Sequence, residues 1–325
     1  MTLAKSSLED EVRNAFAGEV IEGLKAKQKY LPSKYFYNET GDRLFQQIME
    51  MDEYYLTRAE YEVMKKGRER FLDIFSQSGP FQLIELGPGD GMKTKVLLEH
   101  FTDKGADFEY MPLDISRNVL DILVDDINER FPDLKVKPLC DDYFQALNWL
   151  SHQGGARKVI LFMGGNIGNF SPDEAHSFLS KMTQYLEPGD LLVTGFDLKK
   201  QPSKILAAYN DRQGITAEFN LNLLDRINNE LGTDFDRNLF IHYPVYDPAT
   251  GACRSYLVAK EAHEVHFPDD DETIAFDSWE AIYTEISQKY SIEQIEAMAK
   301  DLGFKINEHM FDAQKYFVDS IWEWK

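Results

Sequence analysis

Three clusters of residues in this chain have the types and spacing to do chemistry. The first is Glu85-Leu86-Gly87-Pro88-Gly89-Asp90-Gly91, followed by Lys93 and Thr94. A glycine-rich turn of this kind lets a ligand approach the backbone closely. The second is Asp114, twenty-five positions after Gly89 (114 minus 89), where an acid accepts hydrogen bonds from ribose hydroxyls. The third is Cys140-Asp141-Asp142-Tyr143, in which either acid can accept from an adenine amino group while the tyrosine covers the ring. Any one of these acids also suits a solvated helix cap. Glycine turn, acid and acid-aromatic pair taken together point to a nucleoside-bearing ligand. A dinucleotide fingerprint would place Gly or Ala at position 92, and Met92 stands there instead, which argues against a pyrophosphate.

These residues must be positioned by the elements that end at them. From Phe81 onward, short apolar runs alternate with helical stretches. FQLIEL (81–86), EYMPLD (109–114), KVKPLC (135–140), KVILFM (158–163) and DLLVTGFD (190–197) read as strands, and segments 93–101, 117–131, 143–150 and 172–186 as helices between them. Such alternation predicts right-handed crossovers and a doubly wound α/β fold, with a parallel sheet covered on both faces. The glycine turn, Asp114 and the acid-aromatic pair then fall at the carboxyl ends of strands, where these folds bind ligands. Near the C-terminus, SIEQIEAMAKDLG reads as a helix stopped by Gly303. FKINEHM and KYFVDSIWEW read as an antiparallel hairpin at the sheet's edge. A doubly wound sheet ending in such a hairpin resembles the Rossmann-like methyltransferases, which bind S-adenosylmethionine at these strand ends.

The rest of the chain breaks the alternation. Leu8, Val12, Phe16, Val20 and Leu24 lie at helical spacing, with Ser6 and Glu9 as a capping box. An aromatic and polar stretch follows, broken by Pro32 and Gly41. For almost ninety residues after Asp197 (286 minus 197) only a helix over 219–231 and one strand, CRSYLVA, are legible beside the cluster Tyr209-Asn210-Asp211. We therefore expect a cofactor domain of residues 61–196 and 287–325 and a substrate-binding lobe of residues 1–60 and 197–286.

Composition narrows the partners. A formal charge of -21 repels phosphate backbones and anionic membranes, so the expected ligand is small, with neither nucleic acid nor membrane as partner. No apolar run approaches the roughly 20 residues that span a bilayer, and the N-terminus lacks a signal peptide's apolar stretch, which predicts a cytoplasmic protein. Cys140 and Cys253 form neither a disulfide framework nor a metal motif. The seven histidines are scattered, and His263 and His266 read as part of an acidic loop that continues through Asp269-Asp270-Asp271-Glu272. We expect no metal, and no obligate protein partner is evident.

Further motifs sharpen the resemblance. In order, the chain carries Lys34-Tyr35-Phe36-Tyr37 before Thr40-Gly41, then Glu53-Tyr54-Tyr55-Leu56-Thr57-Arg58-Ala59-Glu60, and Gly164-Gly165-Asn166-Ile167-Gly168-Asn169-Phe170. Ala208-Tyr209-Asn210-Asp211 runs on to Phe219-Asn220-Leu221-Asn222, and Thr284-Glu285-Ile286-Ser287-Gln288-Lys289-Tyr290 follows. This order resembles the histidine Nα-methyltransferase family of ergothioneine biosynthesis. The resemblance implies that Tyr37, Gly87, Lys93, Asp114, Asp142 and Tyr143 contact S-adenosylmethionine, with Asp141 able to substitute for Asp142. It implies that Tyr54, Asn169 and Tyr209 hold the amino and carboxylate groups of a small amino acid, and that Glu285 and Ser287 bind an imidazole. Tyr37, Tyr54, Asn169 and Tyr209 are then the catalytic group. Where the family has a methionine beside the side-chain pocket, this chain reads Arg254-Ser255-Tyr256-Leu257, so Ser255 leaves space at that wall. A related branch methylates prenylated tryptophan. L-Histidine, methylated at Nα up to three times, is the leading substrate; another amine such as a tryptophan derivative, or a non-catalytic module that binds S-adenosylmethionine, are the alternatives.

The residue types suit that chemistry. Methyl transfer from a sulfonium to an amine is an in-line displacement, so the protein must chiefly align three atoms. The amine must arrive neutral, and an α-amino pKa of about 8 makes this a modest demand. Asn169 and the tyrosines hydrogen-bond without adding fixed charge. Aromatic faces of Tyr37, Tyr54 and Tyr209 can also attract a growing cation, by about 0.5 to 2 kcal/mol each.

Overall fold

A computed structural model describes the backbone of residues 2–325 and the side chains from residue 12 onward. The chain divides into two compact units, Leu56–Lys200 with Gln288–Lys325 and Met1–Tyr55 with Gln201–Ser287. The divisions thus fall after Tyr55, Lys200 and Ser287 rather than after residues 60, 196 and 286. Two continuous elements account for most of the difference. Helix Leu56–Phe75 carries its first turn into the first unit, and strand Ala281–Gln288 keeps Ser287 in the second.

The first unit is built on one sheet whose order is Phe304–Phe311, Phe317–Trp324, Leu191–Asp197, Arg157–Phe162, Phe81–Leu86, Phe108–Asp114 and Lys135–Val136. Its inner strands are parallel. Phe317–Trp324 runs antiparallel both to Leu191–Asp197 and to the edge strand Phe304–Phe311, so the fold is the doubly wound α/β sheet with a C-terminal antiparallel hairpin. The expected strand over 135–140 is split: Lys135–Val136 and Leu139–Cys140 pair separately with Phe108–Asp114. Pro138 interrupts the ladder because it has no N–H to give.

Period-two alternation fills a core on each face of the sheet. Ile84, Leu86, Ile160 and Phe162 pack with Leu179, Met182 and Ile295. Leu83, Val159 and Leu161 pack with Phe71, Phe75, Leu97 and Phe101. The helices begin at residues chosen for capping. Ser171 and Glu174 form a capping box with Pro172 at the first turn, and Ser291 forms one with Gln294. The helix after the first strand starts at Lys95, leaving Lys93 in the preceding turn.

In the second unit, the N-terminal helix runs Thr2–Lys25, so it begins ahead of Ser6. The side chains of Ser6, Leu8 and Glu9 lie outside the described residues. Phe16, Val20 and Leu24 pack against Phe219, Leu223 and Ile227, whereas Val12 is exposed. The helix expected over 219–231 begins earlier, at Ile215, because the Asp211 carboxylate accepts from the Ile215 and Thr216 N–H groups at 2.9 and 2.8 Å.

Five strands occupy the stretch in which only one was expected. Ala281–Gln288, Ala252–Ala259 and Phe240–Asp247 form a three-stranded sheet. Pro244 is tolerated in Phe240–Asp247 because that strand is at an edge. The run read as an acidic loop is a hairpin, with His263–Phe267 paired antiparallel to Glu272–Phe276. Val265, Phe267, Ile274 and Phe276 are its buried face, and Asp269 in its turn pairs with Arg13. Among the described residues, no helix is long and apolar enough to cross a membrane.

Candidate functional site

Parallel register brings three strand ends of the first unit side by side. Leu86 pairs with Leu113 and Asp114 with Cys140. Beyond the strands, the Gly87 N–H donates to the Leu113 carbonyl at 2.9 Å and the Asp141 N–H to the Asp114 carbonyl at 3.2 Å. Gly87, Gly89 and Gly91 adopt φ of 63°, 57° and 65°, a region that other residues enter at a cost. A Cβ added at Gly87 would lie 2.7 Å from the Tyr143 hydroxyl, so the hydroxyl end of that side chain abuts the turn. That hydroxyl is pushed up to about 12 by burial and by the charges of Asp114 and Asp142. Gly87, Asp114, Asp142 and Tyr143 therefore form one cluster.

The three acids at these ends are held in different ways. Asp114 accepts from the Ser116 N–H at 2.8 Å. Asp142 caps helix Tyr143–Ser151, accepting from Phe144 and Gln145 N–H groups at 2.9 and 3.4 Å. Asp141 braces the cap by accepting from the Asp142 N–H at 2.8 Å. A backbone cradle that a Cβ would fill, a carboxylate at the ribose position and acids beside an aromatic ring fit a nucleoside-bearing sulfonium.

Lys93 and Asn169 belong to the same unit. The Lys93 ammonium is ion-paired with Glu60. Burial works against its charge, but Glu60 foremost, with Asp319 and Glu85, holds Lys93 above the usual lysine value. Asn169 is exposed at the end of the short helical turn Asn166–Asn169. Before it, Gly168 passes so near the Gln288 carbonyl that a Cβ would come within 2.9 Å.

The second unit collects the remaining candidates. Tyr37, Phe45, Tyr54 and Tyr209 form a chain of edge-on rings, with centroids 5.8, 6.4 and 6.3 Å apart in turn. The Tyr209 hydroxyl donates to Ser287 Oγ at 2.6 Å. Ser287 and Glu285 lie two residues apart on strand Ala281–Gln288, hence on one face. Burial of the Tyr37 hydroxyl, followed by the charges of Glu285 and Asp42, raises its pKa, although the residue as a whole is 46% exposed. Ser255 is buried, and its carbonyl accepts from the Thr284 hydroxyl at 3.0 Å.

Tyr37, Tyr54, Tyr209, Glu285 and Ser287 are thus brought together in one unit, and Gly87, Asp114, Asp142 and Tyr143 in the other. Tyr37, expected with the cofactor residues, falls in the unit that does not contain them. Phe45, which links two of the tyrosines, has no signal in the sequence, whereas Glu60 is marked by its place at the end of Glu53-Tyr54-Tyr55-Leu56-Thr57-Arg58-Ala59-Glu60. Among the described residues, no group of three or more His, Cys, Asp or Glu side chains is placed to hold a metal.

Residues 16–324 match the family described as histidine-specific, S-adenosylmethionine-dependent methyltransferases. The chain is 33% identical over 305 residues to a histidine N-alpha-methyltransferase of Mycolicibacterium smegmatis, spanning 94% of each. It is 34% identical over 289 residues to a histidine N-alpha-methyltransferase of Mycobacterium tuberculosis, spanning 89% of this chain and 88% of the relative. It is also 33% identical over 252 residues to ergothioneine biosynthesis protein 1 of Schizosaccharomyces pombe, spanning 75% of this chain and 32% of that protein. A match across almost the whole chain sets aside the reading of a non-catalytic module. The chain belongs to the histidine-specific, S-adenosylmethionine-dependent methyltransferases.

Proposed function

We propose that the protein methylates the α-amino nitrogen of L-histidine, up to the trimethylated product. The observation that carries the substrate side is the Tyr209–Ser287 hydrogen bond beside Glu285. A hydroxyl serves a ring nitrogen as donor or acceptor, and Ser287 supplies one beside Glu285 for the unprotonated imidazole nitrogen. Glu285 then accepts from the protonated one. The pair satisfies both polar atoms of the ring.

S-Adenosylmethionine, when bound, supplies an electrophilic methyl group. The contribution of the chain is to bind, orient and exclude. Gly87 admits the ligand to the backbone, Asp114 accepts from the ribose, and Asp142 with Tyr143 holds the adenine. Lys93 and Tyr37 complete the cofactor contacts. Tyr54, Asn169 and Tyr209 orient the amine and carboxylate of the amino acid, and Ser255 borders the side-chain pocket. No residue need act as a strong base, because an α-amino group with a pKa of about 8 loses its proton readily near neutrality. The net charge of -21 supports a small zwitterionic substrate rather than a nucleic acid.

Incubation with isotopically labelled S-adenosylmethionine and a panel of histidine, tryptophan, phenylalanine and leucine tests the assignment. Label is expected in histidine. Label in tryptophan or another amine, with histidine untouched at saturating cofactor, would overturn the histidine assignment.

A further inference from the structure

Lys93 and the loop that leads to Asn169 are joined by a carboxylate that has no part in the proposed reaction. Glu60 is 1% exposed, a burial that acids rarely accept without partners. One of its oxygens, Oε1, accepts from the Gly164 N–H at 2.7 Å. The other accepts from the Lys93 ammonium. Gly164 opens the run that ends in Asn169, and Lys93 belongs to the glycine turn after the first strand. A single side chain on helix Leu56–Phe75 therefore ties two separate strand-end loops.

The surroundings are shaped for this carboxylate. Strand Leu191–Asp197 has Gly195 where Glu60 passes, and a Cβ there would lie 2.5 Å from Glu60 Oε1 and 3.0 Å from the Phe317 ring. Two further acids face Lys93, and neither substitutes for Glu60. Glu85 is engaged by the Thr94 and Tyr110 hydroxyls, each at 2.5 Å. Asp319 is fully buried with neither oxygen hydrogen-bonded, and burial together with the Glu60 charge pushes its pKa well above the usual carboxylate value. Glu60 is thus the acid that meets the ammonium. A buried ion pair adds little net stability, so the arrangement is better explained by placement than by stabilisation.

We propose that Glu60 is a positioning residue, setting from one buried carboxylate both the Lys93 ammonium at the cofactor turn and the backbone of Gly164 that leads to Asn169. The proposal rests on the reading that Lys93 serves the cofactor and Asn169 the substrate. Glu60→Gln separates the two tasks. Its amide oxygen still accepts from Gly164, but its NH2 group turns a donor toward Lys93.

The test uses the full-length protein and four readouts: melting temperature, calorimetric affinity for S-adenosylhomocysteine, separate KM values for S-adenosylmethionine and histidine, and the acetylation rate of Lys93 by peptide mass spectrometry. Lys93→Met is expected to weaken S-adenosylhomocysteine binding by about tenfold or more, the loss of one charge-assisted hydrogen bond. Glu60→Gln is expected to weaken it comparably, raise the KM for S-adenosylmethionine, leave the KM for histidine little changed and speed Lys93 acetylation. Gly195→Ala, which displaces the carboxylate without removing its charge, should raise both KM values, and it keeps the test decisive if Glu60→Gln does not fold. If Lys93→Met weakens binding while a folded Glu60→Gln or Gly195→Ala matches wild type in affinity, both KM values and Lys93 acetylation, the proposal is overturned. If instead Lys93→Met binds as wild type, the failure lies in the reading of Lys93 beneath it.

Discussion

The hydroxyl of Tyr209, just past the end of helix Pro202–Ala208, donates a 2.6 Å hydrogen bond to the hydroxyl of Ser287 on strand Ala281–Gln288. The bond couples a residue read as holding the amino acid's amine and carboxylate to one read as binding its ring. Tyr209→Phe should therefore lower histidine methylation while sparing S-adenosylhomocysteine affinity. Asn169→Ala should do the same by loosening the amine. A displacement of about 1 Å in such positioning can cost roughly a hundredfold in rate. Steady-state kinetics beside calorimetry checks both, and wild-type rates in the two variants would remove them from the substrate site.

Asp114→Ala should weaken cofactor binding. The carboxylate is held in place by the Ser116 N–H, so its loss removes a pre-oriented acceptor worth about 1.5 to 3 kcal/mol. Calorimetry with S-adenosylhomocysteine on a folded variant reads this directly. Unchanged affinity would refute the ribose assignment.

Gly87→Ala should impair binding for two separable reasons. Its φ of 63° is strained for alanine, and the new Cβ would lie 2.7 Å from the Tyr143 hydroxyl. The backbone part alone costs about 1 to 2 kcal/mol. Adding Tyr143→Phe relieves the clash and not the strain, so the double variant should recover some melting temperature but remain below wild type. Full recovery would mean that the positive φ is unimportant.

Substrate choice should turn on Glu285. An unpaired buried polar group costs about 1 to 3 kcal/mol, which makes phenylalanine and leucine poor substrates in a pocket that presents Glu285 and Ser287. Histidine is expected to have a higher kcat/KM than tryptophan, and Glu285→Ala to narrow the gap. Ser255 is the position at which a larger ring would gain room, so Ser255→Met should widen it. Competition assays with the two amino acids measure the ratio, and a ratio insensitive to Glu285→Ala would remove that residue from the ring site.

Asp319 carries a pH signature. Burial raises its folded pKa well above the usual carboxylate value, while the unfolded chain titrates near 4. The folded state then holds a proton that the unfolded state releases, so the stability it contributes is complete in acid and is lost as pH rises toward the folded value. Asparagine mimics the protonated acid at every pH. Asp319→Asn should therefore gain in melting temperature over wild type as pH is raised from 5.5 to 9. A gap that stays constant across that range would show that Asp319 is already ionised in the folded protein.

The strand-end residues were legible in sequence because their adjacency follows from local rules. Consecutive strands joined by right-handed crossovers must place Gly87, Asp114 and Asp141-Asp142 along one carboxyl edge. The apolar runs that mark these strands are continuous because both faces are covered. The strands after Asp197 were mostly hidden for the opposite reason. Half-exposed antiparallel strands alternate, and in His263–Phe267 and Glu272–Phe276 the exposed Glu264, His266, Thr273 and Ala275 interrupt the buried Val265, Phe267, Ile274 and Phe276.

By itself the sequence determined the class of ligand, through residue types at strand ends, and the order of motifs that places the chain in its family. Only tertiary structure decided that Tyr209 bonds to Ser287, 78 positions away. The same holds for Glu60, which reaches Gly164 across 104 positions. It likewise decided that Asp319 lies buried without a partner. Such pairings depend on which elements pack together. A side chain's charge and size constrain what it needs as a neighbour, but the distant backbone that supplies that neighbour is placed by the closing of the whole core.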